Sequence, residues 1–137
     1  MALTLSLKPG EKAIIGGAVI CNNDDRRIRL VVKNSVPILR EKDIIKPDAV
    51  DTPCKRLCFS IQLMYIDQPN MAQYHKTYWK DALDIVQAAP SCAVYIENMN
   101  SLIVTGEHYK ALKVCKDLIQ HEKELLKNAR EYNKKNA

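Results

Sequence analysis

Leu3, Leu5 and Leu7 alternate with Ala2, Thr4 and Ser6, the period-2 pattern of a half-buried strand. Lys8-Pro9-Gly10-Glu11 then reads as a turn, because proline presets φ and glycine accepts a positive one. Ala13-Ile14-Ile15 and Ala18-Val19-Ile20 flank Gly16-Gly17, which predicts a hairpin. Asn22-Asn23-Asp24-Asp25 is the next turn. Ile28, Leu30 and Val32 alternate with Arg27, Arg29, Val31 and Lys33, giving one apolar face and one largely basic face. Val36-Pro37-Ile38-Leu39 reads as an edge strand, since proline donates nothing to a ladder. Residues 42–53 hold two prolines and three aspartates and form a connector with room for one helical turn. Leu57, Phe59, Ile61, Leu63 and Tyr65 make the longest alternating run and predict a strand over 56–66.

The period then changes. Asp67-Gln68-Pro69 is a helix start, with an N-cap candidate just before a first-turn proline. Met71, Tyr74, Tyr78, Ala82, Ile85 and Ala89 keep a 3–4 spacing, and Pro90 stops them. Ser91 is placed to cap a second helix carrying Cys92, Ile96, Met99 and Ile103. Thr105-Gly106 breaks that helix, and Thr105 is placed to cap a third. There Leu112, Cys115, Leu118, Ile119, Leu125 and Leu126 form a stripe, with Lys113, Lys116, Lys123 and Lys127 opposite. The tail from Tyr132 to Ala137 has no apolar pattern and is expected to fray.

The expected fold class is α+β: a small N-terminal antiparallel β-sheet or barrel, then about three C-terminal helices. The expected division is a basic β domain over 1–66 and a helical region over 67–137. A chain of 137 residues fits one domain, and 47% hydrophobic residues suffice for a core without a disulfide or metal. No basic start with an apolar run marks a secretory signal. The longest nearly apolar stretch, Ala13 to Cys21, is far short of the roughly 20 residues of a membrane helix. Cys21, Cys54, Cys58, Cys92 and Cys115 are odd in number and widely spaced, as in a reduced interior. The expectation is a soluble, cytoplasmic protein with no membrane partner.

Charge and aromatics divide the chain. The net charge is +5, and residues 1–62 hold 11 Lys and Arg against 7 Asp and Glu. All six tyrosines and the single tryptophan fall within 65–132. Such a balance suits an anionic partner without demanding one.

Candidate chemistry is sparse. No phosphate-cradling glycine motif is present. Cys54 and Cys58 lack a second pair at zinc-site spacing and read as two buried small hydrophobes. His75, His108 and His121 fall on helices, and the carboxylates are unclustered. The expectation is no catalytic residue, no metal and no cofactor, hence not an enzyme. The strongest local feature is Arg26, Arg27, Arg29 and Lys33, three of which share the strand face. An arginine fork matches phosphate and guanine edges. Arg40, Lys42, Lys55 and Arg56 add to the candidate RNA-binding set. An ordinary solvated sheet face accounts for the same residues, and the lysine row on the third helix reads as a solvated face. A sheet so poor in aromatics would not stack bases, so readout would rest on Arg, Lys, backbone groups and RNA shape. Trp79, beside the main stripe of its helix, and Leu126 are candidate protein-binding anchors.

Five segments carry a resemblance. Leu5-Ser6-Leu7-Lys8-Pro9-Gly10-Glu11-Lys12, Gly17-Ala18-Val19-Ile20-x-Asn22, Leu39-Arg40-Glu41-Lys42-Asp43-Ile44-Ile45-x-Pro47, Thr52-Pro53 and Tyr109-Lys110-Ala111-Leu112-Lys113-x-Cys115 stand in this order. The chain is similar to the flagellum biosynthesis repressor family, FlbT, over nearly its whole length. The cysteines at 21, 54, 58 and 92 depart from that pattern. The resemblance implies a post-transcriptional regulator acting at the 5′ untranslated region of flagellin mRNA, in some bacteria promoting its decay and in others activating. Any decay would then fall to a recruited ribonuclease. The implied partners are the flagellin mRNA leader and another small flagellar regulatory protein or flagellin. The alternative is a protein-binding flagellar regulator or chaperone that reaches RNA only through a partner. The RNA element, the sign of regulation and homo-oligomerisation stay open.

Overall fold

The structure is a computed structural model and describes residues 2–136. Met1 and Ala137, part of the N-terminal stretch and of the tail read above, lie outside the described residues. The chain forms two compact units, Met1–Ile45 and Lys46–Ala137.

The first unit contains five short strands. β1 (Leu3–Leu7) pairs antiparallel with β4 (Ile28–Val32), Leu5 lying opposite Leu30 and Ser6 opposite Arg29. β2 (Lys12–Ile15), β3 (Ala18–Cys21) and β5 (Ile38–Arg40) form a second antiparallel sheet in the order β3-β2-β5. The architecture is two small sheets, not one closed barrel. Gly16 and Gly17 turn the β2–β3 hairpin at φ 57° and 88°, a left-handed pair that only glycine adopts freely. β5 pairs with β2 alone, which keeps Pro37 just outside an edge strand. Leu5, Leu7, Ala13, Ile14 and Leu39 are buried here.

The second unit is helical: α1 (Pro53–Ile66), α2 (Met71–Ala88), α3 (Ala93–Val104) and α4 (His108–Lys135). α1 packs on α2 and α4, and α3 packs on α4. Leu57, Cys58, Ile61 and Met64 of α1 are buried with Tyr78, Ile96, Met99, Ile103, Cys115 and Leu118. Among the described residues no helix is long and apolar enough to cross a membrane.

Four expectations change. The strand expected over 56–66 is helix α1. Its apolar residues fit both periods: the set Cys54, Leu57, Cys58, Ile61 and Met64 is spaced for one helix face, and all five are buried. Thr52 caps the helix by accepting the Lys55 amide, and Pro53 opens it. Asp67 caps no helical amide; its carboxylate accepts from the Asn70 amide and the Tyr74 hydroxyl. Ser91 and Thr105 cap no helix N-terminus either. Ser91 Oγ meets His121 Nε2 at 2.8 Å, and the Thr105 hydroxyl donates to carbonyls at the end of α3. Finally, α4 stays helical from Tyr132 through Lys135, closing with the Asn136 amide on the Tyr132 carbonyl.

Candidate functional site

The basic face of the first unit is built around Ser6. Strand alternation sends Leu5 and Leu7 inward and leaves the Ser6 side chain on the opposite face of β1, beside its cross-strand partner Arg29. Arg27, two residues before Arg29, donates from Nη1 to Ser6 Oγ at 3.1 Å. Arg40, at the end of β5, donates from Nη2 to the Ser6 carbonyl at 2.8 Å. Two guanidinium groups therefore hydrogen-bond to one serine, one at its hydroxyl and one at its carbonyl, and Arg29 stands opposite it in the register. Arg27 and Arg29 are exposed, whereas Arg40 is half-buried and ties β5 to β1.

The loop that presents Arg26 and Arg27 hangs on one side chain. Asn22 is 1% exposed. Its Nδ2 donates to the Leu7 carbonyl at 3.0 Å and to the Arg26 carbonyl at 2.8 Å. Its Oδ1 accepts the Asp24 amide at 2.9 Å. Read from sequence, Asn22 is one more turn residue; its positioning role is visible only in the fold. Its place inside the family-like segment Gly17–Asn22 was the sole sequence signal.

The remaining candidates fall elsewhere. Lys33 is exposed one residue past β4, and Lys42 is exposed on the 3₁₀ turn Glu41–Asp43. Lys55 and Arg56 belong to the other unit, on the first turns of α1. Lys55 is paired there with Asp51 at 2.9 Å. Trp79 is 39% exposed and stands edge-on to the buried Tyr78, ring centroids 5.0 Å apart. Leu126 is 43% exposed near the end of α4.

In the helical unit Glu122 is 8% exposed, and its carboxylate accepts the Cys54 amide at 3.0 Å and the Thr52 hydroxyl. Burial, then the Glu122 charge, pushes the Cys54 thiol far above its ordinary value, so it is a neutral thiol. Burial raises the Cys58 and Cys92 thiols as well. The four cysteines of this unit are buried and reduced. No group of three or more His, Cys, Asp or Glu among the described residues is arranged to hold a metal. His108 is buried with its ring 6.2 Å from that of His75, and burial followed by that neighbour lowers its pKa below the usual 6.5.

Fold and face together define a small α+β protein with an arginine-bearing sheet unit and a separate helical unit. The chain belongs to the FlbT family: the family model described as Flagellar protein FlbT matches residues 3–126. It is 44% identical over 125 residues to the probable flagellum biosynthesis repressor protein FlbT 1 of Bradyrhizobium diazoefficiens, covering 91% of this chain and 85% of that one. It is 39% identical over 126 residues to the probable flagellum biosynthesis repressor protein FlbT of Rhodopseudomonas palustris, covering 92% and 98%. It is 36% identical over 128 residues to the flagellum biosynthesis repressor protein FlbT of Caulobacter vibrioides, covering 92% and 90%. No solved structure matches the chain.

Proposed function

We propose that this protein is a cytoplasmic, non-enzymatic regulator of flagellum biosynthesis that binds the 5′ untranslated region of flagellin mRNA. The names of its relatives support the flagellar and repressive part of this reading. The observation that carries the RNA part is the exposed Arg27–Ser6–Arg29 cluster, continued by Arg26 and Lys33. The first unit has eight Lys and Arg against five Asp and Glu, and no aromatic residue. Its contacts to RNA would therefore be charge-assisted hydrogen bonds to phosphates and base edges, without stacking. Decay of the message would fall to a recruited ribonuclease.

A gel-shift titration of the purified protein against the flagellin leader, beside a scrambled RNA, tests this at two salt concentrations. Tight, leader-specific, salt-weakened binding is expected. Replacing Arg27, Arg29 and Lys33 together by alanine should weaken binding and lower the salt slope by about 2, given roughly 0.7 per single-strand phosphate contact. Unchanged affinity in the folded triple variant would remove the site assignment. Equal binding to both RNAs would move specificity to a partner protein.

A further inference from the structure

α4 has 28 residues, about 42 Å of helix, against 14 residues and about 21 Å for α1. Its C-terminal half runs beside the start of α1, and the two helices border an open groove of about 860 Å³. Lys116, Ile119, Lys123, Leu126, Lys127 and Arg130 line it from α4. Their steps of three, four and seven place them on one helix face over about 21 Å, so Lys116, Lys123 and Lys127, expected opposite the apolar stripe, border Ile119 and Leu126 instead. Ile119 and Leu126 stand two turns apart at the middle of this row, and Leu126 is open to solvent.

The groove is cationic where it is free to interact. Of its acidic residues, Asp51 is taken by Lys55 at 2.9 Å, and Glu122 turns inward onto Thr52 and the Cys54 amide. Glu124, which accepts from the neutral Gln120 amide, and Glu131 keep their charges, and Lys116, Lys123, Lys127 and Arg130 outnumber them. Lys123, Lys127 and Arg130 make no ion pair among the described residues. From Lys123 to Lys135, five Lys and Arg face two Glu, so two copies of this segment laid together would repel. A row of phosphates would use the lysines but leave Ile119 and Leu126 without partners.

We propose that this groove is the docking site for an acidic amphipathic helix of a different protein. Two apolar residues of that helix, seven positions apart, sit on Ile119 and Leu126, and flanking Asp or Glu meet Lys123, Lys127 and Arg130. This is helix-in-groove recognition. It uses only the helical unit and does not depend on RNA binding by the sheet unit.

The test uses the full chain and three fluorescent probes. One is an amphipathic helical peptide of about 20 residues, long enough to span the groove, with a leucine stripe and glutamate flanks. The second has lysine flanks on the same stripe, and the third is a poly(U) RNA. The glutamate-flanked peptide should bind most tightly, and salt should weaken it. Leu126→Ala removes one anchor from an exposed position and should weaken binding about tenfold, the size of one good hot spot. Lys123→Glu with Lys127→Glu should reverse the preference toward the lysine-flanked peptide. Circular dichroism checks that each variant keeps its helices. No binding of the glutamate-flanked peptide, or binding indifferent to Leu126→Ala and to charge reversal, would overturn the proposal. A stronger Lys123- and Lys127-dependent affinity for poly(U) would also overturn it and assign the groove to nucleic acid.

Discussion

Glu122 of α4 accepts the backbone amide of Cys54 at 3.0 Å across 68 residues of sequence, so α1 is capped by a residue from another helix. The same carboxylate holds the hydroxyl of Thr52, the helix's own N-cap. A negative charge at a helix N-terminus is favourable, and in a buried setting its hydrogen bonds are strong. Glu122→Ala should therefore destabilise the helical unit by about 2–4 kcal/mol, with Glu122→Gln losing less. Urea unfolding followed by circular dichroism measures both.

Asn22 is a second buried polar tie, and its removal should act on the sheet unit. Asn22→Ala strips the partners from the Leu7 and Arg26 carbonyls and should cost about 2–3 kcal/mol. Asn22→Asp should be at least as damaging, because a carboxylate would face those two carbonyl oxygens. Hydrogen exchange at the Asp24 amide, which donates to Asn22 Oδ1 at 2.9 Å, should speed up in Asn22→Ala, which removes that acceptor.

His108 predicts a pH dependence. Its folded pKa lies below the ordinary 6.5, because burial and the nearby His75 disfavour its charged form. The unfolded chain therefore takes up this proton first as the pH falls below 6.5. The stability associated with neutral His108 is fully present above that value and is lost as the pH drops toward the folded pKa. Urea midpoints between about pH 7.5 and pH 5.5 should fall, and His108→Gln should flatten that slope.

The β2–β3 turn discriminates between substitutions. Gly16 sits at φ 57°, where asparagine is tolerated, so Gly16→Asn should leave stability within about 0.5 kcal/mol. Gly17 sits at φ 88°, where a β-branched residue is strained. Gly17→Val should cost about 1–2 kcal/mol. Thermal melting of the two variants gives the comparison.

β1 and β4 were legible from a one-sided period-2 pattern, β2 and β3 as short apolar runs on either side of Gly16-Gly17, and β5 as the short run after Pro37. The stripes of α2 and α3 were legible for the corresponding reason at period 3.6: Tyr78, Ala82 and Ile85, then Ile96, Met99 and Ile103, are all buried. The run from Leu57 to Tyr65 was not legible. Its apolar residues are dense enough to satisfy both periods, and although Thr52 and Pro53 open the helix locally, the Glu122 carboxylate that also caps it comes from a distant helix. The arginines of the candidate face were visible as residues. The meeting of Arg27 and Arg40 at Ser6 was not, because Arg40 reaches it from a different sheet.

The α+β class, the positions of most strands and helices, and the separation of a basic, aromatic-free start from an aromatic-rich remainder follow from the order of residues alone. These depend on neighbours a few residues apart, whose periodicity and turn chemistry are local. Long-range packing set the second cap of α1 by Glu122, the burial of Asn22 as the tie beneath the Arg26–Arg27 loop, and the groove that Lys123, Leu126 and Arg130 share with the start of α1. Those relationships join residues far apart in the chain, and no local pattern encodes which of the many possible distant pairs will meet.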